Sequence, residues 1–176
     1  LRAGFDHTFA AHTVNAALLL RSTDEMFATV DLAVIDLFSG KVEFLKVGSS
    51  PTFIKREQSV DVVRSESLPA GILTEIDVRA HTRVLEPGDV LVMMTDGILE
   101  ALPGHTDKEE WIARMLRREE TLEPAELVAL LVERAKQAAG GAVRDDMTVM
   151  VARLVRRRSA SGEIPAYERL ASTVAG

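Results

Sequence analysis

Three features of this sequence predict an α+β fold. Short runs rich in β-branched and aromatic residues fill the first half, separated by Gly, Pro and Ser turn signals. Two segments of helical spacing follow between Asp107 and Gly140, and an apolar run from Thr148 to Leu154 then returns to a strand pattern. Strands, a helical pair and a closing strand are the order of a layered α+β sandwich, not of an alternating parallel sheet. The 176 residues are 47% hydrophobic, enough for one domain with a substantial core. That domain is expected over residues 1–155, with 156–176 as a C-terminal tail.

Phe9 to Arg21 reads as an amphipathic helix with Phe9, Val14, Ala17, Leu18 and Leu20 as its apolar positions, ended by Ser22-Thr23-Asp24. Met26 to Leu37 reads as a long strand, Ser39-Gly40 as a turn, and Lys41 to Val47 as the second arm of a hairpin. Thr52 to Lys55 and Val60 to Arg64 suggest a second hairpin around polar Arg56 to Ser59. Leu68 to Leu73 is an irregular connector, Asp77 to Val84 alternates as a strand, and Glu86-Pro87-Gly88-Asp89 turns into Val90 to Thr95. The strands to this point are expected to form an antiparallel meander. Thr106-Asp107 is an N-cap for a helix carrying Trp111, Ile112, Met115 and Leu116. Glu123-Pro124 opens the next helix, whose stripe of Leu127, Val128, Leu130, Leu131, Ala135 and Ala138 stops at Gly140-Gly141.

Composition removes several kinds of chemistry. With no cysteine there is no disulfide, thiolate zinc site or cysteine nucleophile. His7, His12, His81 and His105 lack ligand spacing and read as surface or core residues. A formal net charge of −6 opposes non-specific binding to nucleic acid, and Arg156-Arg157-Arg158 reads as a solvated tail. No stretch is long and apolar enough to span a bilayer, so no membrane contact is expected of this domain.

The chemistry sits in two acidic clusters. Asp96 follows the apolar run Leu91 to Met94 and precedes Gly97, while Asp145 and Asp146 lead into the last strand. Carboxylates at the ends of buried strands are costly to desolvate without a positive partner, and oxygen ligands of this kind suit Mg²⁺ or Mn²⁺. Adjacency of the two strands in one sheet would bring the clusters together. Spacing alone does not separate this reading from an Asp-Gly turn and an Asx-type cap.

Thr95-Asp96-Gly97-Ile98-Leu99-Glu100 and Asp145-Asp146-Met147-Thr148-Val149 resemble the two C-terminal motifs of PPM-type (protein phosphatase 2C-like) Ser/Thr phosphatases, in their bacterial sporulation and stress-response branch. Phe27 to Leu32, Ile35 to Leu37, Phe44 to Gly48, Phe53 to Arg56 and Leu68 to Ile72 are also similar to that branch, so the resemblance covers nearly the whole chain. It implies a β-sandwich flanked by helices, with a two-metal site for Mn²⁺ or Mg²⁺ at one end. Asp96 and Asp145 would be ligands of one metal, with Gly97 and Asp146 in the outer shell. The metals would activate a bridging water for in-line attack on a phosphoryl group, without a covalent phosphoenzyme.

The resemblance further implies a phosphorylated anti-anti-sigma factor as partner, activation of a sporulation sigma factor, and a cytoplasmic domain of a protein anchored in the membrane at the division septum. A helix like Phe9 to Arg21 takes part in activation and dimer contacts in this branch, which raises a homodimer as an expectation. Family members carry an earlier Asp-Gly motif that bridges both metals, and its strands have no counterpart after Leu1. The metal site is therefore expected to be incomplete in this chain, and the chain inactive without that segment. The competing readings are a non-catalytic module that binds the phosphorylated partner or dimerises, and a stress-response phosphatase of the same family. Trp111, the single tryptophan, reads either as core or as a partner contact.

Overall fold

The computed structural model describes residues 6–21, 26–102, 107–140, 145–155 and 171–175. These residues form an α+β fold, with four helices and two antiparallel sheets among them. The chain divides into two compact units, the first made of Leu1–Asp36, Lys41–Ser50 and Arg64–Val84, the second of Leu37–Gly40, Pro51–Val63 and Leu85–Gly176.

The first unit holds helix α1 (His7–Arg21) and strands β1 (Val30–Ile35), β2 (Lys41–Val47) and β5 (Ala80–Val84), in the order β1-β2-β5. The β1–β2 hairpin forms as its turn signal predicts, with Val30 opposite Val47 and Ile35 opposite Val42. Its first arm is shorter than the Met26 to Leu37 run: Ala28 makes only an isolated bridge to Ala70. Asp31 stands directly opposite Lys46, and the Lys46 ammonium, fully buried, lies 2.8 Å from Asp31 Oδ1. Burial pushes the Lys46 amine below its ordinary value, and the neighbouring Asp31 carboxylate opposes that shift.

Helix α1 departs from its predicted stripe. Its buried positions are Ala11 and Asn15, while Phe9, Val14 and Leu20 are exposed. The cause is a polar anchor: Asn15 Oδ1 accepts from Gly71 N–H at 2.7 Å and its Nδ2 donates to Leu73 C=O at 3.0 Å. A buried amide with both ends satisfied fixes which face of the helix turns inward, ahead of apolar periodicity. The end of α1 predicted at Ser22-Thr23-Asp24 lies outside the described residues.

The second unit is built on the sheet β4-β3-β6-β7-β8, comprising β3 (Thr52–Lys55), β4 (Val60–Val63), β6 (Val90–Met94), β7 (Val149–Arg153) and β8 (Ala171–Ala175). The β3–β4 hairpin is as predicted, closed by Arg56 N–H on Ser59 C=O at 2.8 Å. The single meander is not: β5 pairs with β2, and β6 lies between β3 and β7. A tight turn dictates its own pairing, whereas the long connection between β4 and β5 leaves pairing to burial. β5 alternates between exposed and half-buried residues and takes an edge, while β6 is buried throughout and takes the centre. Residues 171–175, placed in the tail by the sequence, pair with β7 as β8.

Helices α2 (Asp96–Glu100), α3 (Lys108–Arg118) and α4 (Pro124–Ala138) complete this unit. Asp107 caps α3 by accepting from Glu110 N–H at 2.9 Å, and Pro124 starts α4. Of the predicted stripe, Leu127, Val128, Leu131 and Ala135 join Ile112, Leu116, Phe53 and Val92 in the main core and Ala138 packs against it, whereas Leu130 is half-buried outside it. Lys55, fully buried in β3, donates to Glu119 C=O at the end of α3 at 2.8 Å.

Candidate functional site

The two acidic clusters lie at the same end of neighbouring strands. β6 and β7 are antiparallel with Met94 opposite Val149, and Thr95 N–H extends the ladder by donating to Thr148 C=O at 3.0 Å. Asp96 follows immediately on one strand and Asp146, Asp145 precede on the other.

Asp96 does not form the Asp-Gly turn that spacing left open but opens α2 with Thr95 as its N-cap. The usual use of an N-cap hydroxyl is to accept from its own helix. Thr95 makes no such bond; its Oγ1 donates to Asp146 C=O at 2.8 Å and accepts from Thr148 N–H at 2.9 Å. One hydroxyl therefore clamps the Asp145–Asp146 turn to the start of α2. Gly97 completes the fit, because a Cβ at this position would stand 2.4 Å from Asp146 C=O, closer than carbon and oxygen can approach. Thr95 was visible as part of the motif but not as a clamp; the only signal was a good N-cap residue directly before an acidic helix start.

The Asp96, Asp145 and Asp146 side chains are exposed. Asp96 Oδ1 accepts from Gly97 N–H at 3.1 Å and Asp145 Oδ1 from Asp146 N–H at 2.8 Å, each a local bond to the next residue's amide. The other carboxylate oxygens face no cation among the described residues. All available donors are hard oxygens on two pinned turns, the chemistry that Mg²⁺ and Mn²⁺ take with several waters retained. The donor set thus fits part of such a site; among the described residues no group of three or more His, Cys, Asp or Glu converges to complete it. Of the histidines, His105 lies outside the described residues.

Comparison with known proteins agrees with the motifs. The family described as Stage II sporulation protein E (SpoIIE) matches residues 1–155. Stage II sporulation protein E of Bacillus subtilis (strain 168) is 41% identical over 166 residues, which are 94% of this chain and 20% of that protein. The chain thus spans about a fifth of the length of this relative. The solved structure of the phosphatase domain of the cell-fate determinant SpoIIE from Bacillus subtilis, presoaked with Mn, superposes with a TM-score of 0.72 at 38% identity, covering 90% of this chain and 71% of that one. A second structure, holding the PP2C phosphatase domain and a fragment of the regulatory domain of the same protein, gives 0.77 at 42% identity over 85% of this chain and 44% of that one. With its motifs, its sheets and its sequence all matching, this chain belongs to the stage II sporulation protein E family, at its PP2C-type phosphatase domain.

Proposed function

We propose that this chain is a metal-dependent protein serine/threonine phosphatase that removes phosphate from an anti-anti-sigma factor and so activates a sporulation sigma factor. The observation that carries this reading is the Thr95 clamp, which holds Asp96 and the Asp145–Asp146 turn side by side within a phosphatase-family fold. Asp96 and Asp145 would hold Mn²⁺ or Mg²⁺ through their carboxylates, and Asp146 would orient the surrounding water. A bound divalent ion supplies Lewis-acid chemistry, lowering the pKa of water and offsetting phosphoryl charge. Thr95 and Gly97 keep the two turns in register, so that little reorganisation is needed when substrate arrives.

The family relationship supports a place in a membrane-anchored protein at the division septum; no helix among the described residues is itself long and apolar enough to cross a membrane. Exposed Phe9, Val14 and Leu20 on α1 support self-association through that helix.

A non-catalytic module that binds the phosphorylated partner is the second reading, favoured by the lack of a complete ligand cluster among the described residues. Phosphate release from a phosphoserine anti-anti-sigma protein separates the two. The full-length protein with Mn²⁺ is expected to release phosphate, and its Asp96→Asn variant to release almost none. Binding of the phosphoprotein without release by either protein would leave the module.

A further inference from the structure

Trp111, the one tryptophan of the chain, is not explained by the phosphatase chemistry. It is half-buried on α3 and packs with Met115 against the edge of the main core. Beside them lies a cleft of about 300 Å³ lined by Trp111, Arg114, Met115, Arg118, Glu119 and Arg134. Its floor is apolar, and its rim is basic in a chain whose net charge is −6.

The three arginines differ in their partners. Arg114 is 3.7 Å from Glu110, one turn earlier on the same helix. Arg118 on α3 and Arg134 on α4 are both exposed, and among the described residues no carboxylate lies within ion-pair distance of either. The helix dipole accounts for a cation in the last turn of α3, where Arg118 sits. It does not account for Arg134, which stands a turn before the end of α4. Glu119 also lines the cleft, so at most part of the rim charge is offset locally. Trp, Met and Arg are the residue types enriched at protein interfaces, where an apolar anchor enters a pocket and charges meet at its edge. The cavity is at the small end of ligand sites, roughly 300–1,000 Å³, and suits one bulky side chain.

We propose that the cleft between α3 and α4 is a docking site for an acidic segment of a partner protein that carries one large apolar side chain. The apolar group would lie on Trp111 and Met115, with carboxylates of the same segment against Arg118 and Arg134. Two guanidiniums with no carboxylate within ion-pair distance among the described residues supply the charge complementarity, and the apolar floor distinguishes this site from a simple anion patch.

The test uses a random peptide display library panned on the protein, followed by titration of the enriched synthetic peptides against the emission of Trp111. Because Trp111 is the only tryptophan, its fluorescence reports on this cleft. Acidic sequences around a Leu, Ile or Phe are expected to enrich and to give a saturable change. Binding should weaken at least ~10-fold in an Arg118→Glu/Arg134→Glu variant and by a smaller factor in Arg118→Gln/Arg134→Gln, and it should fall as salt is raised. Both arginines are exposed, so the unfolding midpoint should not move, and a thermal melt checks that. Enriched peptides that are not acidic, the absence of any saturable change, or equal binding to the charge-reversed variant would overturn the proposal. So would full competition by inorganic phosphate, which would reveal a bare anion site. Equal binding to vesicles of phosphatidylserine and phosphatidylcholine would reveal a membrane contact instead.

Discussion

Asp89, just before β6, and Asp96, two residues after it, are the same side chain at opposite ends of one strand. Asp89 is buried, and its Oδ2 accepts from Glu86 N–H at 2.9 Å and from Arg56 Nε at 3.2 Å, closing the turn into β6. Asp96 is exposed and, among the described residues, accepts only from the adjacent Gly97 N–H. One carboxylate is used up by the fold, whereas the other is bonded only to its neighbour's amide among the described residues. A residue type at a strand end therefore says little until its hydrogen-bond partners are known.

The contrast is broken most directly at the open end. In the full-length protein, Asp96→Asn is expected to lower Mn²⁺-dependent phosphate release by roughly 1,000-fold, equivalent to about 4 kcal/mol, while leaving thermal stability nearly unchanged. Asp145→Asn should behave alike. A loss of stability in either, with activity retained once folded, would show that these carboxylates belong to the Asp89 class after all.

Asp31 extends the comparison to a carboxylate committed to a buried cation. Asp31→Asn removes the carboxylate 2.8 Å from the buried Lys46 ammonium and should cost roughly 3 kcal/mol near neutral pH. The pH dependence has a definite sign. The folded pKa of Lys46 is depressed, so between that value and 10.5 the unfolded chain binds more protons, and stability rises with pH. Without Asp31, which raises the Lys46 pKa, that window widens downward. The variant should recover part of its lost stability as pH is raised towards 10, and urea titrations at pH 7 and above 9 measure this. A deficit that grows at alkaline pH would rule out the lost Asp31–Lys46 pairing as its cause.

Gly97→Ala tests whether the open carboxylates need their turns held together. The added Cβ must displace the Asp146 carbonyl, and Mn²⁺ affinity by calorimetry is expected to fall about 10–100-fold, the range for disturbed supporting groups around a metal. Undiminished affinity would mean that the close packing of the turns is incidental. The smallest effect is expected at the closed end: Asp89→Ala should cost about 1–2 kcal/mol in denaturant unfolding, with phosphate release per folded molecule unchanged.

The two hairpins were legible because Ser39-Gly40 and the polar Arg56 to Ser59 turn join their arms at short range. The α3 and α4 cores were legible because helical spacing and burial coincide there. The pairing of β5 with β2 was not, since no short turn specifies it and the choice depends on burial over the completed sheets. The inward face of α1 was hidden because Asn15, a polar residue, decides it through Gly71 and Leu73, more than fifty residues away in sequence. At the candidate site the acidic residues could be read directly. The Thr95 clamp could not, because a hydroxyl bonded across 51 and 53 residues leaves no local pattern.

Gly97 carries one more consequence. Asp-Gly reads as a turn signal, in which glycine serves by adopting a left-handed backbone, and at such positions asparagine is the usual substitute. Gly97 lies inside α2 and is absent from the glycines with positive φ. It is glycine for lack of volume, not for backbone freedom. Asparagine should therefore fail here as alanine does, and a search for working variants of this motif that admits the ordinary turn residues would admit sequences whose second acidic turn cannot dock.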